Sequence, residues 1–506
     1  MILEKDVKAK IEEGIDLLCS AVQTTLGPNG ANVILHNDLG VPYATKDGVS
    51  VARKVNSEDP YVEAVINIVR ETAMKTAELA GDATTTTTIL TSTLIKNGLA
   101  NKADRLYIEG MQHALKHAID ALKKKSIHID WSSDKLKEVA TISANNDKEI
   151  GDLVARAFKT VGENGTVLFE ESPTNKTYLE ESAGTIIDRG YADSAFVTNN
   201  KTLTAEYNNP AFLLIDDRVD KFSKIERLLN DCVKNDRDLI IFAHDFSSEV
   251  IRMLALNHYK GIIRTVPITV EGIGSGKGEF IKDIAALVGA NKASEGIYYW
   301  GTCKHIVVSN VSTIITVEET NNPEFNERLD RIKALIDNET DETTKAFYQK
   351  KLAKLAGKLC TIKVGGFTPA ERKERYDRVE DAVCATRAAL EEGIVPGGGI
   401  TFYRISEEMG KVNTPYTGNM NLGFISVLNA LTIPIFTLAY NSGMDHMRLR
   451  ALLSKCKPDE GINFKTLFSA NLLNLGIIDS TKAMRVALEH AVSVASILLN
   501  TKCIIP

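Results

Sequence analysis

A multidomain α+β protein is the fold class this sequence predicts. Three observations predict it. The chain is 506 residues long, enough for about three domains. Both ends read as helix, with apolar residues recurring at spacings of three and four. The middle, from about 184 to 359, alternates short apolar runs with helical stretches, the texture of an α/β segment.

In the first arm the periodicity predicts helices over 11–26, 60–80, 84–99 and 107–125. A short β segment at 32–35 and a Thr-Lys-Asp-Gly turn at 45–48 interrupt them. In the middle segment, 211–215 and 239–243 are continuous apolar runs that predict buried strands. The charge-rich stretch 323–358 predicts a solvated antiparallel helix pair. From Arg378 the chain returns to helix and stays mainly helical.

Composition sets the outer bounds. Apolar residues are 44% and charged residues 25%, as in ordinary globular proteins. A net charge of −6 with mixed signs argues against a nucleic-acid partner. The apolar runs read as too short for a membrane span, and the first residues show no secretory pattern. Seven scattered cysteines, none in C-x-x-C spacing, fit reduced thiols and predict a cytoplasmic protein without a zinc site.

The segment Gly81-Asp82-Ala83-Thr84-Thr85-Thr86-Thr87-Thr88 carries the most chemistry. Gly81 ends one helical stripe, and Asp82 is placed to cap the next. β-Branched residues are poor filler for a first turn. A helix N-terminus offers free N–H groups, and threonine hydroxyls add donors for phosphate oxygens. A carboxylate beside them is a hard ligand suited to Mg²⁺. A capped helix without a ligand would use the same residues, so the rest of the chain has to decide.

Thr25-Leu26-Gly27-Pro28-Asn29-Gly30 and Thr45-Lys46-Asp47-Gly48 read as tight turns that present backbone amides. Pro396-Gly397-Gly398-Gly399 permits close approach of a flat ligand. Asp381 lies opposite the apolar stripe Val379, Ala382, Val383, Thr386, Ala389 and Leu390. It reads either as a solvated acid or as a carboxylate that orients a water toward a triphosphate. The run 272–278 resembles a P-loop, but no Ser or Thr follows Lys277, so a P-loop kinase is disfavoured and a mobile glycine loop is expected.

Taken in order, TLGPNG (25–30), TKDGVSVA (45–52), GDATTTTTIL (81–90), TISANND (141–147), DRGY (188–191), VEDAVCATRAALEEGIVPGGG (379–399) and GIIDSTK (476–482) resemble a group I, GroEL-like chaperonin over nearly the whole chain. The resemblance implies an equatorial ATP-binding domain (1–127 and 392–506), a small intermediate hinge domain (128–182 and 360–391) and an inserted α/β apical domain (183–359). It implies an ATP-driven protein-folding chaperone using ATP, Mg²⁺ and, as a second ion, K⁺. The implied partners are non-native polypeptides, a homo-oligomeric ring of seven subunits and a co-chaperonin lid. Thr25, Leu26, Gly27 and Pro28 match the first phosphate loop, and Lys46 and Asp47 the second. Asp82 matches the Mg²⁺ carboxylate, and Thr84, Thr85 and Thr86 match phosphate-contacting threonines. Gly398, the segment Asn463-Phe464-Lys465 and Asp479 match nucleoside contacts; Asp381, with help from Asp47, matches the catalytic carboxylate. Gly184, Gly357 and Gly393 lie where the family hinges.

For the apical domain the resemblance implies client contacts at Tyr191, Phe196, Phe222, Ile225, Leu229, Ile251, Ala255 and Leu256. The helical stretch 250–256 is apolar nearly all round except at Arg252, so a fully buried helix is the competing reading. Several residues depart from the family pattern. Ala83 stands in the phosphate run where the family has glycine, and Phe464 and Lys465 replace small residues near the base. Glu226 and Ala195 replace apolar groove residues, Pro369 replaces a glutamate linked to inter-subunit signalling, and 444–462 is shortened where rings would touch. Ala83 and Phe464 motivate a second reading, a client-binding or scaffold homologue with impaired ATPase.

Overall fold

The computed structural model describes residues 2–3, 5–36, 40, 42–163, 165–200, 202–270, 275–294, 297–317, 323–338, 341, 344–345, 348, 351–352, 355–412 and 415–505. The chain forms two compact units, Met1–Arg156 with Gly366–Pro506, and Ala157–Gly365. The expected intermediate segments divide between these two units.

The first arm carries helices α1 (Lys5–Val22), α2 (Gly48–Lys54), α3 (Pro60–Ala80), α4 (Thr84–Ala100), α5 (Arg105–Lys125), α6 (Lys135–Ser143) and α7 (Lys148–Val161). Strand β1 (Ile2–Leu3) precedes them, and β2 (Val33–His36) and β3 (Pro42–Thr45) form an antiparallel hairpin. The start of α3 follows from its sequence. Asp59 accepts hydrogen bonds from the Tyr61 and Val62 amides, and Pro60 occupies the first turn, where its missing N–H costs nothing. Gly81 ends α3 in the left-handed region at φ 72°.

The insert contains β4 (Thr166–Glu171), β5 (Tyr178–Ile187), β6 (Ala205–Asn208), β7 (Ala211–Val219), α8 (Glu226–Lys234), β8 (Leu239–Phe246), α9 (Ser248–Tyr259), β9 (Thr265–Thr269), α10 (Ser275–Val288), β10 (Asn291–Ser294), β11 (Ile297–Thr302), β12 (His305–Val308), β13 (Thr313–Val317), α11 (Pro323–Asn338) and β14 (Lys358–Val364). One sheet has the order β10-β11-β7-β8-β9, with β7, β8 and β9 parallel. The other has the order β4-β14-β5-β13-β12-β6. The parallel strands are buried, as their unbroken apolar runs predict. Residues 272–274 of the glycine-rich run lie outside the described residues, and Ser275 to Gly278 open α10 instead of continuing a loop. The first member of the charged helix pair is α11; much of the second lies outside the described residues.

The return arm carries α12 (Pro369–Glu392), β15 (Ile394–Pro396), α13 (Ile400–Gly410), α14 (Gly418–Asn441), α15 (His446–Leu453), β16 (Glu460–Asn463), β17 (Phe468–Asn471), β18 (Ile478–Ser480), α16 (Thr481–Asn500) and β19 (Cys503–Ile504). β19 pairs with β1, and β15 with β18. Helix α12 starts earlier than expected because Thr368 caps it and Pro369 fits its first turn. The expectation that no apolar run could span a membrane is corrected by α14. It has 24 residues, and its most apolar 18-residue stretch has a mean hydropathy of 1.9, long and apolar enough by composition. Yet Phe424, Val427, Ala430, Leu431, Ile435 and Ala439 are buried in the unit's core, where the helix packs against α4, α5 and α13.

Candidate functional site

The site is built on the turn between α3 and α4. Gly81 cannot carry a side chain there: an added Cβ would lie 2.1 Å from Cβ of Cys384 on α12. Helix α12 therefore lies directly over this turn, one helical turn from Asp381. Asp82 does not cap α4, contrary to the sequence expectation. The N-cap is Ala83, which has no side-chain acceptor. Its φ of 75° is left-handed, which turns Asp82 away from the helix start. The Asp82 carboxylate instead accepts the Ala83 N–H and opens to solvent.

The five threonines divide by partner. Thr87 and Thr88 return their hydroxyls to the carbonyls of Ala83 and Thr84, an internal helix bond. Thr85 Oγ1 lies 3.5 Å from Thr25 Oγ1. A Cβ added at Gly48 would come 2.3 Å from that Thr85 oxygen. The first loop, the second loop and the first turn of α4 thus converge on one point. Among the described residues, no hydrogen bond engages the hydroxyl of Thr84 or Thr86.

The two loops are held from behind. Asn441 donates to the carbonyls of Gln23 and Leu26, and Asn29 donates to the carbonyl of Phe464 at 2.8 Å. Leu26 and Pro28 are half-buried, while Gly27 and Lys46 are exposed. Asp47 caps α2, accepting from the Val49 amide at 3.0 Å and the Ser50 amide at 2.8 Å. The sequence offers no signal for Asn441 as a support of this loop.

Carboxylates crowd the opposite side. Burial lifts the half-buried Asp381 well above the usual carboxylate range, and the charges of Asp82, Asp47, Glu380 and Asp377 add to it. Surrounding protein raises Asp82 as well, offset in part by the Ala83 amide and reinforced by Asp47. Asp479 is pushed up to about 7 by burial and then by Asp82. These acids come from four separated stretches of sequence. Their charges raise one another across the site, with Arg53 and Lys373 offsetting this at Asp377 and Glu380.

Gly397 packs beside Asp479, and Gly398, at φ 65°, has nothing closer than 3.7 Å to an added Cβ. This leaves the open backbone that a flat ligand needs. Phe464 belongs elsewhere: its ring is 3% exposed in a core with Ile400, Ile435, Leu438 and Leu472. The expectation that it contacts a base is corrected to its carbonyl, which holds Asn29. Asn463 accepts from the Lys465 amide, and Lys465 Nζ donates to Asn146 at 2.9 Å.

The apical surface needs a larger correction. Phe196, Ile225 and Leu229 are buried in the insert's core, where their apolar bulk packs against the five-stranded sheet and its helices. They cannot face a client. Tyr191, Phe222, Ile251 and Ala255 are partly buried against that core. Leu256 is 52% exposed. Helix α9 is amphipathic and not buried all round: Val250 and Leu254 face inward, while Met253, Leu256 and Tyr259 face solvent at a spacing of three, with Ile262 beyond. Met253, Tyr259 and Ile262 are absent from the sequence-based set because an apolar helix does not reveal which side is covered.

A helical unit formed from both chain ends, a phosphate-type cradle within it and an inserted α/β unit together define a nucleotide-handling chaperonin. The chain belongs to the TCP-1/cpn60 chaperonin family, which it matches over residues 18–506. It is similar to the chaperonin gp146 from the bacteriophage EL 2 (Pseudomonas aeruginosa), crystallised in presence of ATP-BeFx, in two crystal forms. Against form II the TM-score is 0.74 at 24% identity, covering 99% of this chain and 98% of that one. Against form I it is 0.67 at 25% identity with the same coverage.

Proposed function

We propose that this chaperonin hydrolyses ATP in its helical unit and holds non-native polypeptide on its inserted unit. One observation carries the reading. Thr25, Gly48 and Thr85 converge beside the acids Asp47, Asp82, Asp381 and Asp479. A relative crystallised with ATP-BeFx supports nucleotide binding here.

The residues fit Mg²⁺. The donors are hard oxygens, and the surplus negative charge around Asp82 suits a divalent cation. Among the described residues no group of three or more His, Cys, Asp or Glu side chains forms a ready metal cage. Mg²⁺ is commonly held by one or two carboxylates together with substrate phosphates. Asp82 would hold it, and the bound ion would neutralise charge on the phosphate oxygens.

The chain's own groups supply the rest. Backbone amides of Thr25 to Pro28, Lys46 and the hydroxyls of Thr84, Thr85 and Thr86 take up the phosphates. Gly398, Asn463 and Asp479 face the nucleoside. Asp381, once ionised, accepts the proton of the attacking water. Asp47 spends both oxygens on α2 and so fixes the Lys46 loop.

On the inserted unit, Met253, Leu256, Tyr259 and Ile262 form an exposed apolar patch of the kind that marks binding. Each large apolar side chain of a client buried there is worth roughly 1.5–3 kcal/mol. A ring, seven-membered with a co-chaperonin lid as the family resemblance implies, multiplies that hold by effective concentration. Seven unpaired cysteines support a reducing, cytoplasmic setting. The scaffold reading without ATPase loses one of its two motives, since the Phe464 ring lies outside the site.

The test is aggregation of a chemically denatured client followed by light scattering, with and without Mg²⁺-ATP, beside phosphate release. Suppression of scattering with nucleotide-dependent release of folded client is expected. Suppression without phosphate release would favour the scaffold reading.

A further inference from the structure

We infer that His490 is a positioning residue for the phosphate-binding turn, acting through two buried threonine hydroxyls that end on the carbonyl of Ala83. The inference rests on the nucleotide-site reading above.

The chain crosses three helices. His490 on α16 places Nδ1 2.8 Å from Thr76 Oγ1 on α3. Thr87 on α4 donates toward Thr76 Oγ1 at 3.2 Å and toward the Ala83 carbonyl at 2.9 Å. Thr76 also lies 3.0 Å from the Thr72 carbonyl. Thr76 and Thr87 are both 0% exposed, so water cannot replace a missing partner.

Two hydroxyl groups therefore meet four contacts: the Thr72 carbonyl, the Ala83 carbonyl, each other, and His490 Nδ1, which donates or accepts according to its tautomer. Whichever atom carries the shared proton at the ring, removing the imidazole takes away the outer partner of Thr76 and redirects Thr87. Thr87 back-bonding to Ala83 is common by itself in helices. The added features are the second threonine and the histidine that terminates the network.

The end point gives the chain its consequence. Ala83 is a non-glycine residue at φ 75°, a conformation that persists only when the surroundings hold it. Its carbonyl accepts both the amide and the hydroxyl of Thr87. Its amide meets Asp82, and the Thr84–Thr86 turn starts one residue later. Loosening the Ala83 carbonyl changes how the amides and hydroxyls of that turn are aimed.

The experiment measures equilibrium binding of a fluorescent ADP analogue with Mg²⁺, and kcat and KM for ATP, on the assembled protein. Thr76→Val, Thr87→Val and His490→Leu are each expected to weaken binding and raise KM about fivefold with kcat little changed. The Thr76→Val/His490→Leu double variant is expected to lose no more than either single change, because the three groups form one network. His490→Asn, which keeps a polar atom at the δ position, is expected to restore most of the affinity. Should His490→Leu fail to fold, the isosteric Thr76→Val decides. Unchanged affinity in both valine variants, with Asp82→Ala still weakening binding, overturns the inference. No binding by the parent protein, or binding indifferent to Asp82→Ala, overturns the nucleotide site itself.

Discussion

Asp82 is the charge that bears most strongly on Asp381, although they lie 299 positions apart in sequence. Burial already raises Asp381, and the Asp82 carboxylate raises it further. The two carboxylates thus oppose each other's ionisation across the turn.

The pH dependence of stability follows from the same crowding. Asp479 is pushed up to about 7 in the folded chain, against about 3.9 when unfolded. Between these values the folded state binds the extra proton, so stability falls as pH rises from about 4 to about 7. Thermal unfolding of the nucleotide-free protein is expected to show this decline. Asp479→Asn should flatten it and raise the midpoint at pH 8. An unchanged slope in that variant would contradict the environment assigned to Asp479.

Ala83→Gly tests the left-handed N-cap. A side chain in this conformation costs roughly 1–2 kcal/mol. Glycine returns that cost but adds about 0.4–1 kcal/mol of unfolded-chain entropy. A small net rise in thermal stability is expected. A clear fall, as for an ordinary helix alanine, would mean that Ala83 is unstrained.

Phe464→Ala separates core from site. The ring is 3% exposed, and its removal should cost about 3–5 kcal/mol. Denaturant unfolding should register the loss, while nucleotide affinity measured well below the transition should change little. A large affinity loss without destabilisation would return Phe464 to the base-binding wall.

On the inserted unit, Leu256→Glu should end suppression of client aggregation and leave folding and ATP turnover intact, since Leu256 is exposed. Ile225→Glu, at a fully buried position, should unfold the insert. Equal protection by the Leu256→Glu protein and its parent in light scattering would place the client surface elsewhere.

Much of this arrangement is legible in the residues, for physical reasons that differ by element. Helix α3 is bounded by Asp59-Pro60 and Gly81, local signals that need no tertiary knowledge, and its bounds are those predicted from sequence. The buried strands at 211 and 239 are recognisable, though each runs on by three or four mostly polar residues to a buried Val219 or Phe246. The phosphate loops are legible as glycine turns because a tight turn is a local property. Burial is not local. Phe464 and Phe196 read as ligand contacts, yet both rings are covered by residues remote in sequence. Asp82 reads as a cap, and only the backbone angle of Ala83 reveals why it is not one. The network through Thr76, Thr87 and His490 depends on α3, α4 and α16 packing together, which no single stretch announces.

The most direct test of the account is turnover against binding in Asp381→Ala. In the proposed function Asp381 acts on the water, whereas the loops, the threonine turn and Asp82 would hold the phosphates and cation. Phosphate release under saturating Mg²⁺-ATP should fall by at least about a hundredfold, as expected for removal of a general base. The dissociation constant of Mg²⁺-ATP should stay within a few fold of the parent. Parallel loss of binding and turnover, or turnover that survives the change, would contradict the assignment of Asp381 as the catalytic carboxylate.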